Sequence, residues 1–260
     1  MEKLLSGKKG IVFGVANNRS IAWGCAKKCL EEGAEISFSY LGEAQKKRVG
    51  DLLADYSESQ CSFFPCDLSK DEEIEAFISK VKEKWETVDF VIHSVAYTDR
   101  ENLKDSFSVV SRESFARTLD ISAYSLVAVT KAIAPLMKNG GSIVTMTYLG
   151  AEKVIPRYNV MGVAKAALES SAKYLAYEYG QNGIRINCIS AGALKTLSSS
   201  AVLGIKDMIE KSSQISPLKR SLTQEDVAST ALYLLSDLSS GVTGEVMHVD
   251  CGYNILGMFD

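Results

Sequence analysis

Short runs rich in β-branched residues alternate along the chain with longer stretches of helical period, the arrangement that builds βαβ units around a parallel sheet. Seven runs predict strands over 10–13, 35–40, 62–66, 90–94, 142–147, 185–190 and 245–250. Between them the apolar spacing predicts helices near 20–32, 43–55, 70–84, 112–138, 158–180 and 224–236. Punctuation agrees: Gly33 can cap the first helix, Asp67 and Ser69 precede the third, and Thr223 with Asp226 has capping-box spacing. No linker, repeat or low-complexity tract interrupts the pattern. It predicts an α/β, doubly wound, single-domain Rossmann-type fold over 1–260, a seven-stranded parallel sheet flanked by helices, with ligands beyond the carboxyl ends of the strands.

Composition narrows the function. The 260 residues are 46% hydrophobic and 23% charged, within the ordinary globular range. Lysine plus arginine number 29 against 32 acidic residues, so the net charge of −3 gives no footprint for nucleic acid or an anionic membrane surface. No apolar run approaches the roughly 20 residues that span a bilayer, and the start, MEKLLSGKKG, lacks a signal peptide's apolar centre. The expectation is a cytoplasmic protein without membrane insertion. Cys25, Cys29, Cys61, Cys66, Cys188 and Cys251 form no C-x-x-C pair and read as buried, reduced thiols. His93 and His248 fall on separate strands, so no histidine-rich metal site is expected.

Three stretches carry candidate chemistry. Gly14-Val15-Ala16-Asn17-Asn18-Arg19-Ser20-Ile21-Ala22 joins the first strand to the first helix, where small residues let backbone amides approach a diphosphate. It departs from G-x-G-x-x-G at Ala16 and Arg19, and a plain strand-to-helix turn fits the local sequence equally. Asp67-Leu68 could receive an adenine, or Asp67 could be a helix cap. Tyr148 ends the fifth strand, and Tyr158 with Lys165 seven residues on would share one face of a helix, an ammonium near a phenol. Spacing alone leaves open a packing aromatic and a solvated lysine.

Together these residues make the sequence resemble the short-chain dehydrogenase/reductases, and within them the bacterial NADH-dependent enoyl-acyl-carrier-protein reductases of type II fatty acid synthesis. The resemblance spans essentially the whole chain. It rests on the Gly14 loop with Ser20-Ile21-Ala22, on His93-Ser94-Val95, on Asp120-Ile121-Ser122-Ala123-Tyr124-Ser125, on Tyr148-Leu149-Gly150-Ala151-Glu152, on Tyr158-Asn159-Val160-Met161-Gly162 and on Ser190-Ala191-Gly192. The general family pairs Tyr and Lys four residues apart, but that position here is Met161, which disfavours a carbonyl reductase. Tyr158 stands one turn earlier, and Tyr148 occupies the place of the family's serine. The shift suits conjugate reduction, where hydride goes to the β carbon and charge develops on the distant thioester oxygen.

The resemblance implies NADH as cofactor, with Gly14, Ser20 and Ile21 around the diphosphate, Leu41 near the adenosine ribose, and Asp67 and Leu68 at the adenine. Ser94 and Val95 would flank the nicotinamide, Lys165 would hold its ribose, and Leu194, Lys195, Thr196, Leu197 and Ser198 would hold the carboxamide and diphosphate. Catalysis would fall to Tyr148, Tyr158 and Lys165, and substrate contact to Ala96, Thr98, Tyr148, Tyr158, Met161 and Leu203. Ala96, Thr98 and Ala193 depart from the residues frequent there, which bears on pocket shape. Tyr40-Leu41-Gly42 offers no cation to a 2′-phosphate, favouring NADH over NADPH. The apolar stretch near 194–213 reads as a lid suited to an acyl chain, with an ordinary core helix as the alternative. The implied partners are acyl carrier protein bearing 2-enoyl thioesters, met by cations such as Lys206, and further copies of the chain in a homotetramer joined through 112–138 and 158–180.

Overall fold

Strands buried on both faces show no polar side, and the near-continuous apolar runs do form the centre of the molecule. The computed structural model describes residues 3–104, 106–197, 199–201 and 204–257. Its strands are β1 (Lys9–Phe13), β2 (Glu35–Tyr40), β3 (Cys61–Pro65), β4 (Phe90–His93), β5 (Gly141–Thr147), β6 (Ile184–Ala191) and β7 (Val246–Val249). All neighbours pair parallel, in the order β3-β2-β1-β4-β5-β6-β7. The chain reverses its direction of winding between β1 and β4, which opens a crevice at their carboxyl ends.

Helices cover both faces. On one, α1 (Ile21–Glu31), α2 (Gly42–Leu53) and α8 (Gln224–Leu235) bury Trp23, Leu30, Val49 and Leu234 against Val12, Phe38 and Ile92. On the other, α3 (Asp71–Lys84), α4 (Arg112–Leu119), α5 (Ser125–Ile133) and α6 (Val160–Gly180) surround a second core, in which Phe77, Leu126, Ile133 and Leu168 meet Ile11, Phe13 and Val91. Alternation along β1, with Ile11 and Phe13 to one core and Val12 to the other, is why its sequence shows no polar period. The helical run Arg112–Leu136 is, by length and composition, long and apolar enough to cross a membrane; half of its apolar window is buried inside this fold.

The Thr223 capping box forms, and Gly33 follows the end of α1 with its amide on Leu30 O. Two expectations need correction. The helix expected over 112–138 is interrupted by a π-type turn at Asp120–Tyr124 and ends in a 3₁₀ turn at Ala134–Leu136 containing Pro135. Within the π turn the Ser125 amide reaches back to Asp120 O, and the Ser125 hydroxyl donates to Ile121 O at 2.6 Å, a side-chain bond that competes with the helical ladder. The helix expected from 158 starts at Val160, so Tyr158 lies in the preceding turn. The apolar stretch after β6 contains a regular helix, α7 (Ile205–Ile215), in which no residue is fully buried.

Candidate active site

Gly14 ends β1 with φ +96°, and a Cβ there would lie 2.0 Å from Ser94 O, so β1 and β4 approach as closely as glycine allows. Beyond it the Ser20 hydroxyl accepts the amides of Ala16 (2.9 Å) and Asn17 (3.0 Å), which folds the loop onto the start of α1. Two glutamines that no sequence motif marks brace it: Gln45 donates to Val15 O (2.6 Å), and Gln224 donates to Ser20 O and Asn18 O. The first turn of α1 holds no acidic residue, and its leading amides, at Ile21 and Ala22, have no acceptor within the helix. Beside this helix end an open cleft of about 620 Å³ is lined by Arg19, Leu194, Lys195, Ile209, Leu222 and Gln224. Amides, two cations and an apolar wall suit a dinucleotide diphosphate, so the residues present fit such a cofactor.

The flanks of the crevice are defined too. Leu41, 60% exposed, donates its amide to Gln45, and Lys46 pairs with Glu43 at 3.4 Å. Asp67 is not a helix cap: the residue before α3 is Lys70, while Asp67 Oδ1 accepts both the amide (3.0 Å) and the hydroxyl (2.7 Å) of Ser69. Leu68 packs on the second core. Thr196 and Ser199 exchange amide-to-hydroxyl bonds of 3.0 and 2.8 Å, closing the turn after Leu194 and Lys195, with Leu197 49% exposed. Ser198 and Leu203 lie outside the described residues.

Tyr148, Tyr158 and Lys165 converge where β5 ends. The tyrosine rings meet edge to face, centroids 4.9 Å apart at 73°. The Tyr148 hydroxyl donates to Met208 Sδ at 3.4 Å, which ties the strand end to α7. Lys165, on α6, is 4% exposed and donates to Met146 O (2.8 Å) and Val95 O (3.2 Å). The lysine is therefore buried, not solvated, and bonded to strand-end carbonyls. Met161 is buried beside the Ser122 hydroxyl, which accepts the Tyr97 amide (2.8 Å) and donates to Tyr97 O (2.9 Å). Thr98 bonds Thr118 at 2.9 Å, next to Ala96 and Tyr97.

Burial sets the charge states. It pushes the Tyr148 phenol up to about 12, and it raises Tyr158 further, with Tyr148 adding to the shift, so both stay protonated at neutral pH. Burial also lowers Lys165 to about 8, the charges of Cys188 and Glu169 pulling the other way. Glu169, one turn along α6, accepts the Thr147 hydroxyl at 2.6 Å and is itself raised by burial. His93, fully buried between Thr145 (2.9 Å) and Ser125 (3.0 Å), is driven down to about 3 by burial and then by Lys165. Since Ser125 spends its proton on Ile121 O, the histidine Nε2 carries the hydrogen and Nδ1 accepts from Thr145. Glu169 stands out only in three dimensions, although its i, i+4 spacing from Lys165 is visible beforehand, and for His93 the structure adds the burial and the hydrogen bonds.

A second, narrow cavity lies behind Tyr148, lined by Gly192, Ile209, Ser216, Arg220 and Tyr253. Ile209 borders both spaces, so α7 forms their shared wall.

A doubly wound parallel sheet with a glycine-started phosphate loop at its switch point, and a half-buried tyrosine pair and a buried lysine at the end of β5, defines a Rossmann-type oxidoreductase of the short-chain class. Within that class the chain belongs to the enoyl-(acyl carrier protein) reductase family, whose model matches residues 14–254. It is 51% identical over 255 residues to enoyl-[acyl-carrier-protein] reductase [NADH] 1 of Rhizobium meliloti (strain 1021), covering 98% of this chain and 93% of that protein. FabI of Rickettsia prowazekii (strain Madrid E), also named an enoyl-[acyl-carrier-protein] reductase [NADH], is 49% identical, covering 98% of this chain and 97% of that one. Among solved structures, FabI from Candidatus Liberibacter asiaticus superposes with a TM-score of 0.96 at 44% identity, each chain fully covered. The enoyl-(acyl-carrier-protein) reductase from Anaplasma phagocytophilum, crystallised in complex with NAD, gives 0.95 at 46% identity, covering 100% of this chain and 98% of that one.

Proposed function

We infer that the protein is an NADH-dependent enoyl-acyl-carrier-protein reductase, reducing the 2,3 double bond of a 2-enoyl thioester in fatty acid elongation. The observation that carries this reading is the half-buried, edge-to-face Tyr148–Tyr158 ring pair together with the buried Lys165 ammonium at the end of β5, in a chain of this family. When bound between the Gly14 loop and Lys165, NADH would supply the hydride for the β carbon. Gly14, Ser20, Ile21, Arg19, Lys195 and the turn at Leu194–Thr196 would cradle its diphosphate; Leu41, Asp67 and Leu68 would take the adenosine; Ser94 and Val95 would line the nicotinamide side. Lys165 would donate to the ribose with one proton while its other two stay on Met146 O and Val95 O, bonds that fix the ammonium in place.

Tyr158, protonated because it is buried, donates a hydrogen bond to the thioester oxygen as negative charge grows there. Tyr148 supports that ring edge-on and carries the contact to α7. Met161 has no proton to give, which supports enoyl over carbonyl reduction. Ala96, Thr98 and Met161 would border the acyl thioester, and α7 would act as a lid, its Met208 and Ile209 turned toward Tyr148 and the two cavities.

The acyl group would arrive on acyl carrier protein, with Lys206 among the cations meeting it, and the enzyme would work in the cytoplasm. That setting is consistent with six free buried cysteines. Tyr174 and Tyr177 on α6 are 76% and 90% exposed and Tyr124 is 51% exposed, apolar surface that supports a homotetramer through α4–α5 and α6. The decisive test follows NADH absorbance with crotonyl thioesters against simple ketones. Turnover of the thioesters alone is expected; turnover of ketones alone would replace this reading with carbonyl reduction, and turnover of neither would leave a dinucleotide-binding sensor.

A further inference from the structure

We propose that Asn159 is the positioning residue that presents the Tyr158 phenol, anchored through Asn102 to the segment bearing Thr98. The inference rests on the reading of Tyr158 as the group that meets the substrate oxygen. Its starting point is the backbone: Tyr158 sits between two non-glycine residues of positive φ, Arg157 at +69° and Asn159 at +47°. Asn159 combines this φ with ψ −123°, far from any region that β-carbon-bearing residues favour. Such a conformation persists only where surrounding contacts over-determine it.

One contact is specific. Asn159 is the N-cap residue of α6, a position where asparagine ordinarily bonds the amides of its own helix, yet its side chain makes no capping bond. Instead Nδ2 donates to Asn102 O at 2.8 Å, across 57 residues of chain. Asn102 is held in turn, its own Nδ2 donating to Thr98 Oγ1 (3.0 Å) and Ser114 Oγ (2.7 Å). Ser114 donates to Asp99, which also accepts from Arg117 and from the Tyr97 hydroxyl. An unbroken set of hydrogen bonds thus runs from the residue beside Tyr158 to the segment 97–99 that would border the substrate. The asparagine gives up its capping role and adopts an unfavourable backbone, and what the fold gains is a fixed angle for Tyr158 relative to that segment.

The test measures kcat and KM for crotonyl-coenzyme A, NADH affinity by fluorescence and Tm in the full-length Asn159→Ala, Asn159→Gly and Tyr158→Phe variants. Alanine removes the amide and resists the backbone angle; glycine removes the amide and accepts the angle. Asn159→Ala is expected to lower kcat about tenfold with NADH affinity within twofold of wild type, and Asn159→Gly, which accepts the angle but lacks the amide, to stay at least about threefold slow, since small displacements of a reacting group carry large rate penalties. Asn159→Ala within twofold of wild-type kcat, with Tyr158→Phe slow, would overturn the role of Asn159 and leave that of Tyr158 standing. Asn159→Gly at wild-type kcat would also overturn it, since the amide would then anchor nothing, and so would a fivefold loss of NADH affinity in either variant, since that indicates general damage. Normal turnover in Tyr158→Phe would remove the underlying reading instead. If Asn159→Ala does not fold, a cycle of Asn159→Gly and Asn102→Ala decides: non-additive losses in kcat support the linkage, and independent losses reject it.

Discussion

Tyr158 lies with its ring against the bare backbone of Gly150: a Cβ on Gly150 would stand 2.3 Å from Tyr158 Cδ1 and 3.3 Å from the Tyr148 ring. Gly162 completes the fit, since a Cβ there would lie 2.6 Å from Gly150 O. The spacing of Tyr148, Gly150, Tyr158 and Gly162 in the sequence is therefore one packing arrangement, in which two glycines make room for the edge-to-face tyrosine pair.

Gly150→Ala should accordingly push Tyr158 aside while leaving the phosphate loop untouched. We expect kcat to fall on the order of 10- to 100-fold with NADH affinity nearly unchanged. Steady-state kinetics with crotonyl-coenzyme A, alongside NADH binding by fluorescence, checks both; unchanged kcat would mean that the ring relaxes without cost.

Lys165 and Tyr158 should separate binding from turnover. Lys165→Ala removes the buried ammonium that bridges Met146 O and Val95 O, and its main effect should be weaker NADH binding. Tyr158→Phe should lower kcat by about 100-fold, the usual loss for one positioned donor, with normal NADH affinity. Equal effects of the two substitutions on NADH affinity would contradict the division of roles.

NADH affinity should also depend on pH through Lys165. In the free protein burial lowers this lysine to about 8, and a bound ribose favours its protonated form, so affinity should be level below pH 8. Above pH 8 it should decline, by up to about tenfold per pH unit, until the pKa of the complex is reached. The phenols contribute nothing in that range, since burial raises both. Fluorescence titrations from pH 6.5 to 9.5 would show the break, and Lys165→Met should abolish it.

His93 should make the fold acid-sensitive. Its pKa is about 3 in the folded chain against about 6.5 when exposed, so between those values the unfolded chain binds more protons and stability falls as pH drops. This group alone should cost roughly 3 kcal/mol between pH 6.5 and pH 4. Urea unfolding of wild type and His93→Gln at the two pH values measures it, the variant losing less on acidification.

The sequence by itself determined the sheet and most of its covering, because apolar period and strand-end punctuation are local properties: β2 was legible to the residue and the other strands within one or two. It also identified Tyr148, Tyr158 and Lys165, though with a shared helix face that the structure replaces by a turn, since Asn159 and Gly150 hold Tyr158 ahead of α6. The π turn at Asp120–Tyr124 escaped because it depends on a side-chain hydrogen bond that local propensity does not encode, whereas the sequence had left open both a helix at α7 and whether Asp67 caps α3. What tertiary structure alone decided is the environment of the site. Burial of Lys165 between two strand-end carbonyls, the single tautomer of His93, the bracing by Gln45 and Gln224 and the reach from Asn159 to Asn102 all join residues far apart in the chain. Charge state and orientation follow from desolvation and from which donor meets which acceptor, and only the folded packing fixes these.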